Sequence, residues 1–307
     1  MFCACCGVAE IDDIKLKECD GCDLVKYCGD ACQELHLPEH AGKCRKRAAE
    51  LRDELLFKQP ESSHLGDCPI CMIPLSLDQN KSTLHACCSK LICNGCEYTI
   101  RSKYGHSTTC PFCRAAAPVD DEENEKRRMK RVDSMKDPVA MHHEGCLFQG
   151  KGEYVKAFEW FSKAAELGYA MSHWQVAALY FDGKGGEKSR GKYIHHLEEA
   201  AIGGHHRARY HLGREDTKSG RSDRAVKHFV IAAKQGDEDS FGLLKFAFKD
   251  GLISKEDFAS TLRAYQSAVE ATKSPEREKG EKYCERMQAA VEYQRGKAKT
   301  RRGKKKR

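Results

Sequence analysis

Residues 3–44 read CACCGVAEIDDIKLKECDGCDLVKYCGDACQELHLPEHAGKC. With its gaps written out, the ligand pattern is Cys3-x2-Cys6-x12-Cys19-x2-Cys22-x5-Cys28-x3-Cys32-x7-His40-x3-Cys44. Two cysteines two residues apart can bind one ion from a single tight turn, and zinc takes four such donors at tetrahedral corners. Eight donors therefore predict two zinc ions, which so short a segment needs because it has too little apolar volume to fold alone.

This spacing, with Tyr27 before Cys28 and Gln33 after Cys32, resembles the MYND-type zinc finger, and we expect that domain at residues 1–46. The resemblance implies interleaved sites, with Cys3, Cys6, Cys28 and Cys32 at one ion and Cys19, Cys22, His40 and Cys44 at the other. It also implies docking, since fingers of this family bind short proline-containing peptides. Cys5 remains as a spare donor, and His36 is expected to face solvent.

A second cysteine-rich segment, residues 67–118, follows a helical connector at residues 47–66. Its pattern is Cys68-Pro69-Ile70-Cys71, Cys87-Cys88, Cys93-x2-Cys96 and Cys110-Pro111-Phe112-Cys113-Arg114. The pairs resemble a RING finger, which implies Cys68, Cys71, Cys93 and Cys96 at one zinc ion and Cys110 and Cys113 at the other.

The middle of this segment departs from the RING pattern. Lys90 stands where a ligand is expected, and its protonated amine is not a normal zinc ligand at neutral pH. We favour Cys87 and Cys88 as the remaining donors of the second ion, and His85 in place of one of them is the alternative. The segment therefore holds two zinc ions, or one if Lys90 marks a lost site.

A RING finger implies a ubiquitin ligase, which acts by holding a ubiquitin-charged conjugating enzyme in a reactive geometry. Matched residue by residue, the contacts to that enzyme would be Ile70, Pro111 and Arg114, whose guanidinium can hydrogen-bond both partners. Alternatively, Ile70 and Pro111 only cover the zinc turns and Arg114 begins the exit strand. Ligase activity and pure docking both stay open.

A charged linker at residues 119–136 is expected to be a solvated helix or a disordered spacer, and a nuclear import signal is the alternative. Beyond it the sequence repeats itself over residues 137–273. Alanine pairs followed by glycine recur at offsets of 36 and 32 residues: Ala164-Ala165-Glu166-Leu167-Gly168, Ala200-Ala201-Ile202-Gly203-Gly204 and Ala232-Ala233-Lys234-Gln235-Gly236. Glycine there suits the left-handed residue that ends a helix. The segment resembles Sel-one-like repeats, relatives of the tetratricopeptide repeat, which implies stacked helix pairs that bind a partner protein.

Each copy carries apolar residues at helical spacing, and a fourth, weaker unit contains Phe241, Leu244, Phe246, Phe258, Leu262 and Tyr265. We assign Trp160 and Trp174 to packing between helices. Adjacent histidines such as His205 and His206 point about 100° apart on a helix, so they do not predict a metal site. Cys146 is expected to pack in the core and not to act as a nucleophile.

Residues 274–307 are predicted to form a charged helix that caps the last repeat, followed by a basic tail. Residues 295–307 hold nine basic side chains and no acidic one. Since the whole chain has a formal net charge of +7, the rest carries −2. The tail is typical of a nuclear import signal or of an arm that binds nucleic-acid phosphates.

The 307-residue chain is thus predicted to be multidomain, with two small zinc-stabilised fingers, irregular or α+β, followed by an all-α helical-repeat solenoid. No apolar run approaches the roughly 18 residues of a membrane span, and no signal peptide is evident, so we expect a cytoplasmic or nuclear protein. No methyltransferase, nucleotide-binding or hydrolase motif was found. We expect a zinc-binding adaptor; the alternatives are a RING-type ubiquitin ligase, with its substrate chosen by the repeats or the MYND-type finger, and a nucleic-acid-associated factor.

Overall fold

The computed structural model describes residues 1–6, 8–10, 15–104, 109–287 and 289, and the chain divides into two compact units after Gln59. The basic tail at residues 295–307 lies outside the described residues. Among the residues described, no helix has both the length and the apolar character needed to cross a lipid bilayer.

The first unit is a small finger followed by a long helix. Strand β1 (Lys17–Glu18) pairs antiparallel with β2 (Lys26–Tyr27), and α1 (Asp30–Leu56) begins three residues later. Buried Leu16 and Tyr27 pack among the cysteine side chains and form the core. Residues 47–56 of the expected connector continue α1 without a break.

The second unit begins with the second finger, residues 67–118. Strands β3 (Ser82–His85) and β4 (Lys90–Cys93) form an antiparallel hairpin, and α2 (Asn94–Tyr104) follows directly. Buried Leu75 and Ile92 pack beside Cys68 and Cys93. The finger core is therefore built around the thiols.

The rest of the second unit that the structure describes is mostly helical. Its helices are α3 (Asp121–Met135), α4 (Pro138–Gly150), α5 (Tyr154–Glu166), α6 (Ala170–Asp182), α7 (Arg190–Ile202), α8 (His206–Lys218), α9 (Ser222–Lys234), α10 (Glu238–Lys249), α11 (Lys255–Ala271) and α12, residues 275–287. Helix α4 packs on α5, α6 on α7 and α8 on α9, and each pair contacts the next. The predicted fold class, two small fingers and then a helical repeat region, is confirmed.

The glycines that follow the alanine pairs end helices in the way the sequence indicates. Gly168, Gly204 and Gly236 have φ angles of 78°, 82° and 95°, in the left-handed region. Side chains with a Cβ are strained there, so the repeat keeps glycine at this position.

The charged linker forms a helix, α3, which packs on α4. A solvated helix was one of the two predicted forms of this segment, but α3 is partly buried, at Arg128 and Val132. Val132 is buried against Ala140 and Met141, and buried Arg128 donates a hydrogen bond to the carboxylate of Glu144. These contacts of Arg128 and Val132 hold α3 against α4.

In two helix pairs, a glycine of the first helix faces an aromatic ring 16 positions later in the second: Gly145 faces Phe161 and Gly213 faces Phe229. Ala177 and Tyr193 have the same spacing in the contacting helices α6 and α7. The fourth unit differs from its prediction in one residue. Phe246 was assigned to the apolar face of this unit, but it is 62% exposed. Leu244 and Ala247 turn inward in α10, which carries Phe246 to the other side.

We expect Gly213→Ala to destabilise the second unit by about 1–3 kcal/mol, because a new Cβ would stand 2.5 Å from the Phe229 ring. Gly242→Ala is the matched control, since a Cβ there meets nothing within 4 Å. That change should stabilise α10 by about 0.5–1 kcal/mol. Both tryptophans, Trp160 and Trp174, lie in the repeats, so urea denaturation followed by tryptophan fluorescence measures this unit. Effects of the same sign would contradict the packing described.

Candidate metal centres

Among the residues that the structure describes, four groups of cysteine and histidine side chains have donor atoms within 4.8 Å of one another. Site 1 comprises Cys3, Cys6, Cys28 and Cys32, and site 2 comprises Cys19, Cys22, His40 and Cys44. Site 3 comprises Cys68, Cys71, Cys93 and Cys96, and site 4 comprises Cys87, Cys88, Cys110 and Cys113. These are the sixteen side chains that the sequence analysis favours, grouped in the same fours.

The spacing within the groups fits zinc. Sulfur atoms lie 3.8 Å apart between Cys19 and Cys44 and between Cys88 and Cys110. A tetrahedron with zinc–sulfur distances of about 2.3 Å has edges of about 3.8 Å. All the thiols are free, so the groups are not disulfides. Thiolates and one imidazole are also the donors that zinc prefers in structural sites.

Three of the cysteine pairs sit on the same kind of turn. The N–H of the first cysteine donates to the carbonyl five residues later, from Cys3 to Val8, Cys68 to Ile73 and Cys110 to Ala115, at 2.8–3.0 Å. In the second and third turns the residue after the pair is left-handed, with φ of 56° at Met72 and 60° at Arg114. Each of these turns places both thiols of its cysteine pair in the same group of donors.

In site 2, helix α1 supplies two candidate ligands from successive turns. His40 and Cys44 are four residues apart on this helix, and Nε2 of His40 lies 3.1 Å from Sγ of Cys22. His36 does not simply face solvent as expected: its Nδ1 lies 2.9 Å from the hydroxyl of buried Tyr27, and its ring stacks on His40. The sequence offered one signal for this, since His36 stands one turn before His40 on the same helix.

In site 4, Cys87 and Cys88 are both present and His85 is not. Nε2 of His85 instead lies 3.0 Å from a carboxylate oxygen of Glu97, and this contact is the largest cause of the lowered pKa of Glu97. Lys90 begins strand β4 and is exposed. The adjacent cysteines therefore complete the fourth group of donors without a histidine.

The three side chains assigned to a conjugating enzyme lie on the turns of sites 3 and 4. Ile70 is 37% exposed, Pro111 is partly buried and Arg114 is exposed. Phe112, beside Pro111, is also exposed. Apolar side chains thus reach the surface at both turns.

A cysteine and a histidine meet in the repeats without the features of a nucleophilic site. Sγ of Cys146 lies 3.5 Å from Nε2 of His142, whose Nδ1 lies 2.9 Å from the hydroxyl of Ser172. Burial raises the pKa of the Cys146 thiol to about 11, and burial together with His143 lowers the pKa of His142 to about 4. The thiol is neutral at pH 7, while a nucleophilic cysteine must be a thiolate.

Residues 62–64 attach to the repeats through a stack of aromatic rings that no sequence pattern indicates. The ring of His64 lies 4.2 Å from that of His205, and His205 stacks on Trp174. Gln235 donates to the carbonyls of Ser62 and Gly204. Burial and the neighbouring His206 lower the pKa of His64 to about 3, so this imidazole is neutral at pH 7. Trp174 is therefore a packing residue, as the sequence indicates.

Comparison with known proteins identifies part of the chain. Mouse DAP3-binding cell death enhancer 1 is 25% identical, over 42% of this chain and 33% of its own length, so the chain spans about a third of that relative. Two solved structures are each 24% identical to this chain. A Sel1 repeat protein from Oxalobacter formigenes has a TM-score of 0.43, and the match covers 49% of this chain and 46% of that one. A protective antigen of uropathogenic Escherichia coli with an SLR fold has a TM-score of 0.41, and the match covers 50% of this chain and 34% of that one. Residues 3–44 match the MYND finger family, which confirms the resemblance seen in the cysteine spacing. Residues 3–44 are therefore a MYND-type zinc finger.

Proposed function

We propose that the protein is an adaptor that binds four zinc ions, docks a proline-containing peptide on its MYND finger and recruits a further protein on its repeats. The observation that carries the proposal is the surface of the finger. Leu24, Leu35 and Leu37 are exposed there although the finger has few apolar residues to spare for its core. Exposed apolar side chains on a rigid, metal-held frame favour binding over chemistry.

The peptide site can be tested with two leucines of the same helix. Leu37 lies in the finger and Leu55 beyond it, and each is 48% exposed on α1. The measurement is the fluorescence polarisation of a set of labelled proline-containing peptides mixed with the zinc-loaded protein. Leu37→Ser should weaken binding about tenfold, as expected for loss of a central apolar contact of about 1.4 kcal/mol. Leu55→Ser should bind like the unaltered protein. Equal effects, or no bound peptide, would refute peptide docking.

A RING-type ubiquitin ligase is the second candidate, favoured by the exposed Ile70 and Phe112 at the turns of sites 3 and 4. The test is discharge of ubiquitin from a panel of charged conjugating enzymes. Ile70→Ala and Arg114→Ala should each abolish acceleration by the protein. Met72→Ala is the control, because Met72 is exposed in the same turn as Ile70. If no conjugating enzyme in the panel responds, the second finger is a docking module.

Nucleic-acid binding through residues 295–307 is the third candidate, supported by their charge alone. It predicts an affinity for nucleic acid that falls steeply with salt and disappears when these residues are deleted.

A further inference from the structure

The guanidinium of Arg277 enters the second finger from the far end of the sequence. Arg277 belongs to α12 and is only 5% exposed. It donates to the carbonyl oxygens of Pro74 at 2.6 Å and Ile73 at 2.9 Å, and lies 3.5 Å from Sγ of Cys71, a donor of site 3. The turn that holds the Cys68–Cys71 pair is therefore in contact with a buried cation.

The backbones of α12 and α2 also touch where two glycines meet. A Cβ at Gly280 would stand 2.5 Å from the carbonyl oxygen of Asn94, and one at Gly95 would stand 2.7 Å from Cα of Arg277. Helices approach this closely only where no side chain intervenes. Because Gly95 lies between Cys93 and Cys96, this contact also falls within the ligand segment of site 3.

Two side-chain contacts extend the same surface. Lys81 pairs with Glu281 at 3.1 Å, and the rings of Tyr98 and Tyr283 lie 5.3 Å apart. Together with Arg277, they place successive turns of α12 against the finger. The contact between α12 and the finger therefore includes a buried arginine and two closely approaching backbones, and is more than the contact of a single exposed side chain.

We propose that Arg277 is an outer-sphere residue of site 3, so that zinc binding there and docking of α12 on the finger stabilise each other. The proposal rests on the zinc-binding function proposed above. Four thiolates around one zinc ion leave two negative charges uncompensated, and a buried guanidinium that donates to one of the sulfurs offsets part of that charge. The coupling is reciprocal. If docked α12 raises the zinc affinity of site 3 by some factor, bound zinc raises the equilibrium constant for docking of α12 by the same factor.

The experiment compares zinc release to a chromophoric chelator from the full-length protein and from Arg277→Gln. Alkylation of the freed cysteines followed by mass spectrometry shows which site lost its ion. We expect Arg277→Gln to lower the zinc affinity of site 3 about ten- to a hundredfold and to speed zinc release from it, with site 4 unchanged. Arg286→Gln is the matched control, because Arg286 is exposed on the same helix.

Arg277→Lys separates a role at the metal from packing. Lysine keeps the positive charge and loses the planar fork, so it should restore part of the zinc retention that glutamine loses. In the other direction, Cys96→Ser should speed amide hydrogen exchange in residues 275–287.

Three results would overturn the proposal. Equal release from site 3 in the unaltered protein and Arg277→Gln would refute it while leaving the adaptor function intact. So would faster release from all four sites, which would indicate general unfolding. An unaltered protein that holds no zinc at site 3 would refute both this inference and the four-ion adaptor.

Discussion

Cys6→Ser should unfold the MYND finger while the repeats stay folded. Structural zinc contributes about 10–16 kcal/mol in finger peptides, far more than a core as small as that around Leu16 and Tyr27 can supply. Removing one thiolate from site 1 should therefore lower the zinc count in native mass spectrometry by at least one. Amide hydrogens of residues 15–44 should lose their protection from exchange.

Cys5 provides the control within the same turn. It is an exposed cysteine next to Cys6, and it is not among the donors of site 1. Cys5→Ser should keep the zinc count and the exchange pattern of the unaltered protein. Tryptophan fluorescence, which reports on the repeats, should show the same unfolding midpoint for both variants. If Cys6→Ser stays protected, or if Cys5→Ser loses zinc, the ligand assignment of site 1 is wrong.

Arg128→Met should destabilise the second unit by about 3–5 kcal/mol. The change removes the hydrogen-bonding partner of Glu144, and both side chains are buried between α3 and α4. A carboxylate left in that environment has lost the cation that offset its desolvation. Urea denaturation followed by tryptophan fluorescence gives the free energy of unfolding.

Two further variants show whether burial is the cause. Arg128→Met with Glu144→Leu removes both charges and should recover most of the lost stability, since apolar residues of similar size often replace a buried ion pair without cost. Lys126→Met breaks the exposed pair of Lys126 with Glu122 on the same helix, and should change stability by less than about 1 kcal/mol. Equal losses in Arg128→Met and Lys126→Met would contradict the buried pair.

The grouping of the cysteine side chains could be predicted because each pair is encoded locally. A Cys-x2-Cys turn fixes its own geometry within about eight residues, as the three similar turns at Cys3, Cys68 and Cys110 show. The repeats were predictable for a similar reason: glycine at the helix end and small residues at helical spacing describe contacts between neighbouring helices. In both cases the contacting residues lie close to each other in the sequence.

Other features depend on partners that lie far away in sequence or on another helix. Arg277 is 206 residues from Cys71, and nothing in the charged pattern around it distinguishes it from its exposed neighbours. The sequence predicts that α12 caps the last repeat, while the contacts of α12 described above lie on the second finger. The backbones of α12 and α2 meet at Gly280 and Gly95, and the guanidinium of Arg277 donates to the carbonyls of Ile73 and Pro74. Arg128 was assigned to a solvated linker because its partner Glu144 belongs to the following helix.

Helix α1 links zinc binding to the conformation of a segment that has no ligands. His40 and Cys44 lie one turn apart on α1, and the helix continues for twelve residues beyond Cys44, of which only Leu56 is buried. Starting a helix is the unfavourable step, and adding residues to an existing one is easy. A zinc ion held by His40 and Cys44 would supply the nucleus, and residues 45–56 would propagate from it. Loss of that ion would therefore lower the helical content up to about 18 Å away.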